Sequence, residues 1–226
     1  MTVTASKSQP QPIVFVVDDD VSVRESLELL IKFAGWQPET FASAKEFLER
    51  PRTTTPSCLV LDMSLPDLNG LEVQKLIGSE RVDIPIIFIT GHGDVPMTVQ
   101  AMKAGAVEFL IKPFEDEVLL SAIRHAIQRS AAVLQDQAEM MTLRSGYESL
   151  TPREQDVMRL VVAGMLNKQI GLKLGISEIT VKAHRGKMMQ KMKADSVADL
   201  VKTAVKLGIT PARNPWRMTD RSEKDS

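Results

Sequence analysis

Five short apolar runs, each followed by a helical pattern, constrain this 226-residue chain more than any other feature. Ile13 to Val17 (IVFVV) ends in three aspartates, and Ser22 to Ala34 follows with Leu27, Leu30, Ile31 and Ala34 at helical spacing. Ser22 and Glu25 have the spacing of a capping box. Gln37 to Phe41 is a weaker strand, and Ser43 opens the next helix with Glu46 three residues on. Cys58 to Leu61 is the third run, followed by a Pro-Asp-x-Asn-Gly turn and a helix from about Leu71. Ile84 to Ile89 is the fourth, Pro96 to Ala104 a helix stopped by Gly105, and Val107 to Leu110 the fifth. Lys112-Pro113 leads into a helix from about Glu115. Apolar strands alternating with helices predict a doubly wound five-stranded parallel sheet covered on both faces. In such a fold the site lies beyond the carboxyl ends of the strands.

The strand ends are chemically distinctive. Strand one stops at Asp18, Asp19 and Asp20, strand three at Asp62, strand four at Thr90, and Lys112 follows strand five. Carboxylates from two strands suit a hard divalent cation such as Mg²⁺, which offsets their mutual repulsion. A hydroxyl and an ammonium are suitable donors for phosphoryl oxygens. Singly, each residue has an ordinary explanation: Asp19 and Asp20 as loop or cap carboxylates, Thr90 as a strand end, Lys112 as a solvated lysine, Phe109 as core. His92 has no metal-ligand partner at useful spacing and reads as a loop residue. The coincidence of the set at four strand ends argues for a site.

The second half has a different character. Met1 to Leu150 holds 13 Lys+Arg against 21 Asp+Glu, whereas Thr151 to Ser226 holds 15 against 8. A basic half is a candidate for nucleic acid. Thr151-Pro-Arg-Glu is a helix start with threonine cap, proline at the first position and glutamate at the third. The chain then reads helical to Leu207, broken at Gly164, Gly175 and around Ala194 to Ser196. Asn167 to Leu174 is one helix, Gly175-Ile176-Ser177 a turn, and a second helix starts at Glu178. That second helix carries Val181, Met188 and Met192 as its apolar stripe and Lys182, Arg185, Lys187 and Lys191 opposite, a helix-turn-helix pattern. Between the halves, from Glu117 to about Leu143, neither proline nor glycine interrupts. Ile127, Ala131, Leu134, Ala138 and Met141 recur there at spacings of four and three. Beyond Arg129 this segment is either a helical linker or a partner-facing helix.

Other classes recede. The single cysteine, Cys58, cannot form an intramolecular disulfide and sits in an apolar run without a basic partner, as expected of a buried thiol in a reducing cytoplasm. No apolar run approaches the ~20 residues of a membrane helix, and Met1 to Pro12 lacks a signal-peptide core. Aromatics make up 4% of the chain, so the cores must be aliphatic and methionine-rich.

The segments VVDDD, LVLDMSLPDLNG, FITGHGD and FLIKPF, in this order and spacing, resemble the receiver domains of two-component response regulators. Leu150 to about Leu207 resembles the LuxR-type helix-turn-helix, and the whole chain resembles the NarL/FixJ family, closest to its FixJ branch. The resemblance implies a phosphorylation-dependent transcription regulator rather than an enzyme, with at most slow autophosphatase activity. Asp62 would accept a phosphoryl group from a histidine kinase. Asp19, Asp62 and the Ser64 carbonyl would coordinate Mg²⁺ directly, and Asp18 through water. Thr90 and Lys112 would hold the phosphoryl group, Phe109 would be the rotating aromatic, and the Lys112-Pro113 bond matches one usually cis. Thr180, Lys182, Ala183, His184, Arg185 and Lys187 would face double-stranded DNA, although His184 could equally pack against the neighbouring helix. Gly186 stands where the NarL branch has a basic base-reading residue, so that preference does not transfer. A homodimer formed on phosphorylation is expected. An aspartyl-phosphate hydrolase is disfavoured because Ser64, not an acid, stands two residues after Asp62. The expected domains are a disordered tail (1–12), receiver (13–129), helical linker (130–149), DNA-binding domain (150–208) and disordered tail (209–226).

Overall fold

The computed structural model describes residues 11–80, 83–91 and 93–209, residues 79 and 80 by backbone alone. The expected tails 1–12 and 209–226, with Trp216, fall almost wholly outside these, and so does His92. The chain divides into two compact units, Met1–Asp136 and Gln137–Ser226.

The first unit is the doubly wound sheet. Its strands β1 (Ile13–Val17), β2 (Gln37–Phe41), β3 (Ser57–Asp62), β4 (Ile86–Thr90) and β5 (Glu108–Ile111) run parallel in the order β2-β1-β3-β4-β5. Between them lie α1 (Val21–Phe33), α2 (Ala44–Glu49), α3 (Gly70–Glu80) and α4 (Val95–Lys103). Helix α5 (Asp116–Glu148) follows β5 and continues into the second unit. Because side chains alternate along a strand, the sheet feeds two cores. Phe15, Leu59, Leu61 and Phe88 face one side with Phe47 of α2, Val73 and Ile77 of α3 and Ala101 of α4. Val14, Val16, Cys58, Val60, Ile87 and Ile89 face the other with Leu27 and Ile31 of α1 and Leu119, Ile123 and Ala126 of α5. Burial of Cys58 pushes its thiol pKa far up, as for an inert core thiol.

Several boundaries shift by one or two residues from expectation, among them those of β4, α1 and β5. β4 starts at Ile86 rather than Ile84. Pro85 has no N–H for a ladder, and it contributes only its carbonyl, to the Leu59 N–H at 2.9 Å. α1 is capped by Asp20, whose carboxylate accepts the Ser22 N–H at 2.8 Å, so Ser22 and Glu25 do not form the expected capping box. β5 starts at Glu108, one residue after the expected Val107.

The second unit holds the end of α5, then α6 (Pro152–Val162), α7 (Asn167–Leu174), α8 (Glu178–Lys191) and α9 (Val197–Lys206). Thr151 and Glu154 form the expected capping box at α6. Gly175 ends α7 at φ 67°, a left-handed position that favours glycine. Ser177 then caps α8 through the Thr180 N–H. Val157, Met158, Leu160, Ile170, Val181, Met188, Met192 and Leu200 form one core, so the methionine cluster is structural. Among the described residues, no helix is long and apolar enough to cross a membrane.

Candidate phosphoryl-transfer site and nucleic-acid interface

The β1 and β3 tips lie side by side because β1 and β3 are adjacent parallel strands in register, with Val17 opposite Leu61. Asp18 is fully buried and Asp62 nearly so, at 7% exposure. Lys112 reaches across from the end of β5. Its Nζ donates to Asp18 Oδ2 at 2.7 Å and to Asp62 Oδ2 at 2.9 Å. The lysine backbone is itself fixed, since its N–H donates to the Thr90 carbonyl at 2.7 Å. The remaining carboxylate oxygens accept main-chain N–H groups, Asp20 onto Asp18 Oδ1 (2.9 Å) and Ser64 onto Asp62 Oδ1 (3.0 Å).

The electrostatics follow from this geometry. Burial lifts the Asp18 pKa above the usual carboxylate value, against the pull of the Lys112 ammonium and the Asp20 N–H. Burial would also lower Lys112, but its hydrogen bonds to Asp18 and Asp62 outweigh that and hold its pKa above the ordinary lysine value. Lys112 is therefore a permanent cation at neutral pH. Asp18, Asp19 and Asp62 each offer an oxygen within 4.8 Å of the others, Asp19 from an exposed position. An all-oxygen set of three carboxylates fits a hard divalent cation.

Thr90 is fully buried at the tip of β4, one residue past Ile89, the register partner of Asp62. Phe109 on β5 is half-buried, its ring 6.2 Å from that of Phe88. Ser64 is exposed just after Asp62, and the Lys112-Pro113 peptide is cis.

Two supporting features escaped sequence reasoning. Arg24 Nη1 donates to the Asp18 carbonyl at 2.6 Å, tying α1 to the tip of β1. In the Pro-Asp-x-Asn-Gly turn, Asp67 accepts the Ala44 and Lys45 N–H groups at 3.4 and 3.0 Å, capping α2. Partial burial opposes these bonds, but they hold the Asp67 pKa below the usual carboxylate value. Asn69 accepts the Leu71 N–H at 2.9 Å, so the loop bearing Ser64 is anchored to two helices. The turn motif itself signalled a turn, but nothing in the sequence paired Asp67 with α2.

The helix-turn-helix residues are less uniform than their sequence suggests. Lys182, Ala183 and Lys187 are exposed along α8, with Lys182 paired to Glu178 at 3.4 Å. Arg185 is half-buried and donates to Asn167 Oδ1 of α7 at 3.0 Å. Thr180 shares a 2.8 Å hydroxyl contact with Ser177, and His184 is half-buried. Lys191 is held inward, where its Nζ donates to Glu154 Oε2 at 2.7 Å and to the Ser149 carbonyl at 3.0 Å. That bond, with the Thr151 N–H, holds Glu154 below the usual glutamate pKa.

Comparison with known proteins agrees with this architecture. Residues 14–124 match the family described as response regulator receiver domain, and residues 148–204 match bacterial regulatory proteins, luxR family. Nodulation protein W of Bradyrhizobium diazoefficiens is 48% identical over 91% of this chain and 90% of its own. The transcriptional regulatory protein FixJ of Rhizobium meliloti is 42% identical over 88% and 98%. A solved structure of response regulator StyR, 50% identical, superposes with a TM-score of 0.80 over 87% of this chain and 99% of its own. The chain belongs to the response regulators that join a receiver domain to a LuxR-type DNA-binding domain, in the company of FixJ and nodulation protein W.

Proposed function

We propose that Asp62 is the phosphoacceptor of a cytoplasmic two-component switch whose donor is a phosphohistidine on a sensor kinase. The observation that carries this reading is the Lys112 ammonium held 2.9 Å from Asp62 Oδ2 by a buried Asp18. A carboxylate oxygen of Asp62 attacks phosphorus, a P–O bond forms, the P–N bond breaks, and the imidazole leaves with a proton. Lys112 neutralises charge on the transferring oxygens, and Thr90 supplies a hydroxyl beside them. The carboxylates of Asp18, Asp19 and Asp62 with the Ser64 carbonyl would hold Mg²⁺, Asp18 through water. When bound, that ion supplies further neutralisation of phosphoryl charge. Slow hydrolysis of the acyl phosphate resets the switch, so turnover of small phosphate esters is not expected.

Transmission runs from Thr90 and Phe109 to the face formed by α4, β5 and the first turns of α5, which forms a homodimer after phosphorylation. Val95, Val99, Met102, Ile111 and Val118 on these elements are exposed apolar side chains. The DNA-binding domain then engages duplex DNA through α8, with Thr180, Lys182, Ala183, His184, Arg185 and Lys187 on or beside the contact. Because Arg185 is bonded to Asn167 in the free protein, it would release that bond or act by orienting α7.

The test is chemical. The full chain is incubated with acetyl phosphate and Mg²⁺, the acyl phosphate is reduced with borohydride, and the modified peptide is sequenced. Homoserine at position 62, absent after Asp62→Asn, is the expected result. Modification elsewhere, or none in wild type, overturns the assignment.

A further inference from the structure

The outer face of α8 is not uniformly basic. At about 100° per residue, Ile179, Ala183, Gly186 and Gln190 lie roughly 140–180° around the helix from Val181. Val181 and Met188, both 0% exposed, fix the inward direction, so these four residues form the outermost line of the helix. Ile179 is 80% exposed in the first turn, at the leading end of that line. Behind it the line is low: Ala183 is small, and a Cβ built at Gly186 would meet nothing within 4 Å. Lys182 and Lys187 flank it.

A lone exposed isoleucine normally needs no explanation. This one projects from the first turn of a basic recognition helix, the part that meets base edges in helix-turn-helix complexes. In the major groove one base feature is apolar, the C5-methyl group of thymine. Low relief at Ala183 and Gly186 lets the helix approach closely enough for a four-carbon side chain at its tip to reach that methyl. From this placement we infer that Ile179 is a specificity-determining residue that packs against a thymine methyl in each half-site. The inference rests on the DNA-binding reading of α8. It assigns direct readout to Ile179, whereas Lys182 and Lys187 beside it can hold phosphates without reading sequence.

The experiment removes the methyl and nothing else. The full chain, activated with acetyl phosphate and Mg²⁺, selects duplexes from a random pool, and each thymine of the enriched site is replaced in turn by deoxyuridine. One thymine per half-site is expected to cost wild type about fourfold in affinity, the worth of one buried methyl-sized group. The same replacement should cost Ile179→Ala nothing, while its thermal stability and salt dependence stay as in wild type. Ile179→Val, which keeps a branched tip, should retain part of the penalty. Equal deoxyuridine penalties in wild type and Ile179→Ala, or no thymine with a penalty in wild type, overturn the inference and leave DNA binding intact. Failure to enrich any duplex overturns the DNA-binding reading itself.

Discussion

Replacing Glu154 by glutamine should loosen the DNA-binding unit in a pH-dependent way. Glu154 is 3% exposed, and one carboxylate oxygen accepts both the Thr151 N–H at 2.9 Å and the Lys191 ammonium at 2.7 Å. Lys191 also donates to the Ser149 carbonyl, so this contact joins the chain just before α6 to the end of α8. Removing one partner of a fully buried pair costs about 3–5 kcal/mol. The Lys191 side chain is 36% exposed and recovers hydration, which reduces the figure to about 1–2 kcal/mol. Glutamine keeps an oxygen for the Thr151 N–H, so the loss isolates the charge. Because the folded-state pKa of Glu154 is lowered, its contribution is present above the ordinary glutamate value near 4.5 and fades as pH falls below it. Two folded units make a single unfolding curve ambiguous, so native-state hydrogen exchange resolved by peptide is the suitable assay. At neutral pH, amides of α6 and α8 that open with the whole unit should exchange roughly 5- to 30-fold faster in Glu154→Gln, and those of β1 and β3 unchanged. The difference should shrink as pH falls below 4.5 and the lowered carboxyl is protonated. Unchanged protection at neutral pH, or a difference that persists undiminished at acid pH, would refute the assignment.

Other expectations follow from single contacts. Ser130 Oγ on α5 accepts the Ser57 N–H at 3.1 Å in the core, so Ser130→Ala should cost about 1–3 kcal/mol by leaving that donor unpaired, seen as faster exchange in β1 and β3. A Cβ at Gly70 would lie 3.0 Å from both Met63 Sδ and Phe88 Cε1 and 3.1 Å from Met63 Cα. Gly70→Ala should therefore destabilise the receiver by about 1–3 kcal/mol, measurable as faster native-state hydrogen exchange in β3 and β4. Gly186→Ala has open space, and should raise the stability of the second unit by about 0.5–1 kcal/mol while weakening DNA binding, a divergence that melting and titration together detect.

The receiver was legible because its signals are local and redundant. β1, β3 and β4 are uninterrupted apolar runs, and four of the five strands carry a chemical residue at or just beyond the carboxyl end, so Asp18, Asp62, Thr90 and Lys112 could be expected together from topology. Ser43, Thr151 and Ser177 cap helices where their spacing indicated. What resisted was long-range pairing of polar side chains. Lys191 shares its helix with Lys182 and Lys187 and looks the same in sequence, yet it is clamped to Glu154, 37 residues away. Arg185 is likewise tied to Asn167, and Asp67 to α2. No periodicity encodes such contacts. Ser22 lost the capping role to Asp20, two residues earlier, since either side chain offers an oxygen at that turn and spacing alone does not choose between them.

The most direct test of the switch is a titration of selected operator DNA with the full chain, with and without acetyl phosphate and Mg²⁺, in wild type and Asp62→Asn. The account predicts at least about a tenfold tightening on phosphorylation in wild type, equivalent to about 1.4 kcal/mol, and none in Asp62→Asn. Equal affinities in wild type before and after phosphorylation, or the same tightening in Asp62→Asn, would contradict it.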